Sequence, residues 1–154
     1  MSATLVQESA QTMLIATFEV AGTLCGIDAM KVQEVVRIGR ITRVHHAPER
    51  IVGIINLRGK ILTVLDLGEA LELGRLTPGP ESRVFVIESQ GEYIGLLTDH
   101  ARDVVSCNPG DISPPPANIH GIQGRFFEGV YQAQSRLIAI LNMQAVLTEQ
   151  DSER

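Results

Sequence analysis

The stretch GIINLRGKILTVLDLGEAL, Gly53 to Leu71, is matched without a gap by GVYQAQSRLIAILNMQAVL, Gly129 to Leu147. Ile54 meets Val130, Lys60 meets Arg136, Ile61 meets Leu137, Val64-Leu65 meets Ile140-Leu141, Asp66 meets Asn142, Leu67 meets Met143 and Leu71 meets Leu147. The apolar skeleton is thus duplicated, and positions shared by two copies of a repeat report the packing that both need. The turn is not duplicated. The first copy reads Asn56-Leu57-Arg58-Gly59 where the second reads Gln132-Ala133-Gln134-Ser135. A charged, exposed-looking turn kept in one copy only is free to serve something other than the fold.

Working outward, a second alignment extends the repeat upstream. With Gly26 on Gly95, Gly22 falls on Gly91, Ile27 on Leu96, and Glu34-Val35-Val36 on Asp103-Val104-Val105. The register difference between the two alignments is absorbed before Gly129, in the segment holding Pro114-Pro115-Pro116 and Gly121 to Gly124. That is loop composition, where extra length costs little. Each half therefore reads as one unit of about 60 residues, a size that is marginal alone and better packed as a pair.

Hydrophobic residues make up 44% of the 154 residues and charged ones 20%, enough for a real core. Aromatics are scarce and Trp is absent, so that core is built of Val, Ile and Leu. No apolar run approaches a membrane span, and Met1 to Met13 lacks the charged-then-apolar pattern of an export signal. The expectation is a cytoplasmic protein without direct membrane insertion. The net charge of −5 argues against nucleic acid, whose phosphates call for a basic surface. Cys25 and Cys107 lie far apart and read as buried free thiols.

Met1 to Gln11 is polar and aperiodic, a frayed tail. From Leu14 to Val20 apolar residues alternate with polar ones as in a half-buried strand. Leu24 to Ile27 forms a second strand after Gly22, Ala29 to Val32 a helical turn, and Val35 to Ile38 a third strand. Ile51 to Leu57 and Ile61 to Leu67 pair around Arg58-Gly59, and Leu67 to Leu73 is helical, stopping at Gly74. The second half replays this order: a hairpin of Arg83 to Glu88 and Glu92 to Thr98 over Gln90-Gly91, then Val104-Val105, a turn at Asn108-Pro109-Gly110, strands at Phe127 to Tyr131 and Leu137 to Leu141, and a short helix near Met143 to Leu147. Duplicated short strands at regular spacing predict an all-β protein of two small barrels or one double barrel. The repeat seam falls at 75–82, where Pro78, Gly79 and Pro80 cluster.

Catalytic patterns are missing. One acid per half invites comparison with aspartic proteases, whose two carboxylates share a proton, but Asp66 aligns with Asn142 and no hydroxyl residue follows it in Asp66-Leu67-Gly68. A strand-end Asp that caps the short helix is the simpler reading. His45 and His46 are adjacent and point to opposite faces of an extended segment, and neither His100 nor His120 has a ligand at metal spacing. No metal, cofactor or nucleotide is expected. Gly121-Ile122-Gln123-Gly124 has the form of a phosphate-clamping loop, yet without basic neighbours in an acidic chain it reads as a turn. What remains is Arg58, whose five fixed donors suit a carboxylate or helix-end carbonyls on a partner. It reads equally well as a surface residue paired with a local acid such as Glu34 or Asp66.

At this point a resemblance enters. Gly26-Ile27-Asp28, Val32-Gln33-Glu34-Val35, Thr42-Arg43-Val44, Ala47-Pro48, Gly53 to Gly59 and Leu65-Asp66-Leu67 resemble, in order and approximate spacing, the CheW family of chemotaxis coupling proteins. Gly95 to Asp99, Asp103-Val104-Val105, Gly129-Val130 and Leu137 to Asn142 continue the match, which covers roughly Leu14 to Leu147. The resemblance implies two tandem five-stranded SH3-like β-barrel subdomains with short helices, forming one domain over 14–148 between flexible tails at 1–13 and 149–154. It implies a non-enzymatic adaptor that binds the cytoplasmic tip of a chemoreceptor in a groove between the barrels, and the regulatory domain of the CheA histidine kinase through barrel ends, within membrane receptor arrays. Carried over by position, Val32 and Arg58 fall at the receptor contact, with Asn56, Leu57 and Gly59 shaping the turn and Glu34 near the same surface. Val104 and Val105 fall near the groove.

The chain departs from the family pattern at Gly68, at His45-His46, at Asn142 and in the Pro-rich insertion. With the sequence ending at Arg154, the expectation is an adaptor without an attached kinase or receiver domain. The alternatives are an adaptor for a chemotaxis-like pathway controlling surface or pilus motility, and a small β-barrel ligand-binding protein.

Overall fold

A computed structural model describes residues 12–152. The N-terminal tail expected over 1–13 lies, except for Thr12 and Met13, outside the described residues. Twelve strands run in chain order: β1 (Met13–Val20), β2 (Thr23–Asp28), β3 (Val32–Arg37), β4 (Ile51–Leu57), β5 (Lys60–Asp66), β6 (Arg83–Ser89), β7 (Glu92–Thr98), β8 (His100–Cys107), β9 (Asn118–Ile119), β10 (Ile122–Gln123), β11 (Phe127–Ala133) and β12 (Arg136–Leu141). Two helices follow the repeated hairpins, α1 (Leu67–Ala70) and α2 (Met143–Ser152). The first is one turn, shorter than expected, because Glu72 turns to positive φ and Leu73 N–H reaches back to the Gly68 carbonyl. The second is longer than expected and continues to Ser152, into the region read as a tail.

The strands form two five-stranded sheets, β11-β12-β2-β1-β8 and β3-β6-β7-β5-β4, with β9 and β10 a separate hairpin. The repeat is visible strand by strand: β1 corresponds to β6, β2 to β7, β3 to β8, β4 to β11 and β5 to β12. Gly53 to Leu71 and Gly129 to Leu147 accordingly occupy equivalent strands. Exchange of the two halves converts one sheet order into the other, as a pseudo-two-fold relation requires.

The halves are nevertheless not the sheets, which corrects the expectation of one folded unit per half, while the expected all-β fold of two five-stranded units stands. Each sheet takes β1 and β2, or their counterparts, from one half and the other three strands from the opposite half. Each sheet has two joins between the halves, one antiparallel, β1 with β8 or β6 with β3, and one parallel, with Ile140 opposite Gly26 in one sheet and Val64 opposite Gly95 in the other. A repeat fixes which faces are apolar, but an identical edge in the other copy satisfies a strand equally well, so the sequence leaves the partner copy open. The boundary at 75–82 separates sequence copies and not sheets.

Neither sheet closes by a continuous ladder. In each, the chain just beyond one edge strand makes a single bridge to the other edge: Thr42 with Ile54 and Ser113 with Val130, each through two backbone hydrogen bonds of 2.8–2.9 Å. The duplicated glycines Gly53 and Gly129 lie next to these bridges. A Cβ at either would run into a backbone carbonyl oxygen, that of Thr42 or of Ser113, so closure demands glycine at both.

The core is shared between the sheets. Phe18 of β1 and Phe85 of β6 stack at a tilt with centroids 4.9 Å apart, inside a buried cluster that draws Val20 and Ile27 from one sheet and Val64 and Leu96 from the other. A smaller cluster of Ile15, Leu24, Cys107, Ile138 and Ile140 fills the first sheet. The loop read as a Pro-rich insertion contributes structure as well: Ile119 and Ile122 of the β9–β10 hairpin are buried in the main core.

Candidate partner-binding surface

The one-copy turn is a two-residue hairpin loop. Arg58 and Gly59 have φ of 51° and 87°, the two positive values that a type I′ turn requires, and Leu57 pairs directly with Lys60. Asn56 reinforces it, its Oδ1 accepting from Gly59 N–H at 2.9 Å. Left-handed non-glycine residues also occur at Ala21, Gln90, His120 and Gln134 in other tight turns, so the strain at Arg58 is a property of these hairpins and not a mark of function.

The Arg58 side chain is 70% exposed, and its guanidinium donates to the Glu34 carboxylate. Of the two acids named from sequence, Glu34 is the partner. Glu34 lies on β3 and Arg58 beside β4, the two edges of one sheet, so the ion pair clasps the same open seam that Thr42 and Ile54 bridge. An exposed pair of this kind stabilises by about 0–1 kcal/mol. At the equivalent seam Asp103 and Gln134 form no ion pair among the described residues.

Asp66 is buried and occupied elsewhere. Its carboxylate accepts from Glu69 N–H at 3.2 Å and Leu76 N–H at 3.0 Å, capping α1. Burial pushes its pKa up despite these hydrogen bonds. Asn142, its counterpart, caps α2 by accepting from Ala145 N–H at 3.1 Å. The acid and amide at this repeat position do the same capping task, which explains the pair without any catalytic role.

Six of the eight residues carried over from the resemblance gather on one sheet: Val32, Glu34, Asn56, Leu57, Arg58 and Gly59. Within this group Val32 and Leu57 are half-buried against the main core, leaving Arg58, Glu34 and Asn56 as the polar presentation. Val104 and Val105 lie on β8, the edge of the other sheet. Val105 is half-buried against the smaller cluster, whereas Val104 is 59% exposed opposite Ala16.

Sequence reasoning missed several exposed apolar side chains. Leu14 and Met30 were read as strand and helical-turn residues, yet both face solvent, Met30 at 81% on a 3-10 turn packed against β1. Val35, the counterpart of Val104, is also exposed. Ile61 and Leu137 correct an assumption: although shared by both copies, they are 61% and 44% exposed, so their repetition does not report packing. Period-2 alternation was the available signal, since each immediately precedes a buried residue on its strand.

Among the described residues no group of His, Cys, Asp and Glu is arranged to hold a metal ion, and no helix is long and apolar enough to cross a membrane. Both cysteines are free and buried, with desolvation pushing the Cys25 thiol up to about 12 and raising that of Cys107, so neither is an activated nucleophile.

The family model of the CheW-like domain matches residues 15–151. The chain is similar to a probable chemotaxis protein CheW from Rhizobium etli, 27% identical over 127 residues covering 82% of each chain. It is similar to the chemotaxis protein CheW of Bacillus subtilis, 28% identical over 136 residues covering 88% of this chain and 87% of that one. Protein FrzA of Myxococcus xanthus is 33% identical over 99 residues, 64% of this chain and 62% of its own. Among solved structures, the scaffolding protein TtCheW from Thermoanaerobacter tengcongensis superposes with a TM-score of 0.77 at 35% identity, covering 85% of this chain and 84% of that one. Two five-stranded sheets sharing one core and these likenesses converge: the chain belongs to the CheW family of non-catalytic chemotaxis scaffolding proteins.

Proposed function

We propose that this chain couples the cytoplasmic tips of chemoreceptors to the regulatory domain of the CheA histidine kinase, at receptor arrays on the cytoplasmic side of the membrane. The observation that carries the receptor half of this reading is the Arg58 turn. A permanently charged side chain, largely exposed, is offered by a rigid two-residue loop present in one copy of the repeat. Glu34 orients the guanidinium from the facing edge strand and leaves donors free for a partner carboxylate or for carbonyls at a helical hairpin tip. Exposed apolar side chains at Val35 and Val104 supply area that polar contacts alone lack.

For the kinase half, Ile61 and Leu137 stand at equivalent positions of the two sheets, each next to a basic residue, Lys60 or Arg136. Repetition without burial is what a surface used at both ends of a pseudo-symmetric molecule would retain. The mechanism needs no chemistry on this chain. An adaptor changes kinase output by fixing geometry, and a shared core under both sheets transmits a change at one face as a rigid body. Titration of a receptor hairpin fragment and of a CheA regulatory domain against the purified protein tests the reading. Saturable binding to both is expected, and failure to bind either would refute it. An adaptor for a chemotaxis-like pathway with another output uses the same geometry, and preference for that pathway's receptor fragment would identify it.

A further inference from the structure

A cleft of about 700 Å3 opens between the two sheets beside α2, and none of the eight carried-over residues lines it. Its floor is apolar, with buried Ile27, Ile87, Ile140 and Leu141 flanked by Met13 and Met143. Its rim is acidic: Asp28, Glu88, Glu92 and Glu128 stand against one cation, Lys31.

The repeat shows that this acidity is not simply the surface character of the fold. Glu88 corresponds to Glu19 of β1. Glu19 is covered by two guanidiniums, accepting from Arg102 at 2.6 Å and lying 3.8 Å from Arg136. In the other copy the position of Arg102 is held by Gln33, and Lys60, in place of Arg136, has its ammonium 4.3 Å over the Tyr93 ring. Among the described residues the side-chain carboxylate of Glu88 is left without a hydrogen bond or ion pair, as are those of Glu92 and Glu128. Three unneutralised carboxylates around an apolar floor repel one another and favour a cationic neighbour.

We propose that this cleft docks a basic amphipathic segment of a protein partner, with apolar side chains on the floor and Lys or Arg against Glu88, Glu92 and Glu128. The size suits a few side chains of such a segment, within the usual range for a binding cleft. This cleft shares no lining residue with the Arg58 face, so it can be filled without displacing contacts made there.

The test uses the full chain with its methionine methyls as reporters and a synthetic two-heptad peptide of Leu and Lys as probe. Met13 and Met143 line the cleft, while exposed Met30 lies outside it. The Lys peptide should shift the Met13 and Met143 resonances saturably and leave Met30 unmoved, and its Glu-for-Lys twin should do neither. The exposed triple variant Glu88→Gln/Glu92→Gln/Glu128→Gln should bind the Lys peptide about tenfold more weakly, whereas Arg58→Ala should bind it as wild type. Equal shifts at Met30, or unchanged affinity of the triple variant, would overturn the proposal. So would a shift of Met143 on deletion of residues 1–11, which would identify the chain's own N-terminal segment as the occupant, or a concentration-dependent shift without peptide, which would identify a second copy.

Discussion

Replacing Arg58 by alanine separates partner recognition from fold maintenance, and the structure bounds both effects. The side chain is 70% exposed and its ion-pair partner Glu34 is 32% exposed, so the Coulombic loss is that of a surface pair, about 0–1 kcal/mol. Alanine suffers in the left-handed turn much as arginine does, so the backbone adds no further difference. For a chain of this size such a loss lowers Tm by at most about 2–4 °C. If Arg58 meets a receptor carboxylate or carbonyl, loss of a hydrogen bond to a charged group costs about 1.5–3 kcal/mol of binding, roughly a ten- to hundredfold rise in Kd. Gln134→Ala, at the equivalent turn of the other sheet, should change neither quantity and serves as the internal control. The assay is a calorimetric titration of each variant against a receptor hairpin fragment, alongside thermal melts. A fall in Tm of many degrees with unimpaired binding would make Arg58 a structural clasp for the seam. Wild-type affinity in both variants would place receptor recognition elsewhere.

Three other outcomes follow from the fold. Gly53→Ala and Gly129→Ala should each destabilise by about 2–4 kcal/mol, as overpacking against backbone does, while Gly79→Ala, with open space around it, should be near neutral in urea melts; neutrality at Gly53 would undo the closure argument. Fragments 1–77 and 78–154, expressed separately, should show no cooperative unfolding as monomers and should gain it when mixed, because each sheet needs strands from both; a folded monomeric half, seen by sedimentation and circular dichroism, would contradict the strand exchange. Asp66 titrates above its ordinary 3.8 in the folded state, so the native protein holds its proton more tightly and stability falls as pH rises from the unfolded value through the folded one. Asp66→Asn should lack that decline in denaturant midpoints measured from acid to neutral pH, and parallel profiles for the two proteins would refute it.

Much of this protein is legible in its sequence. The hairpins, the cap at Asp66 and the equivalence of Gly53 with Gly129 are written in the order of residues, because alternation, turn chemistry and capping act over a few positions along the chain. The Arg58 turn stood out for the same reason, as a local feature that one copy has and the other lacks. Tertiary structure decided what depends on partners distant in sequence. Both copies of the repeat offer equivalent edges, so only the folded chain shows that β2 pairs with β12 and β7 with β5. Exposure is likewise a property of the neighbours: Ile61 and Leu137 match as well as any core pair, yet no layer covers them. Asp66 and Glu34 were equal candidates to meet Arg58, and the choice fell to Glu34 because curling of the sheet brings its edge strand to the turn while burying Asp66 under α1.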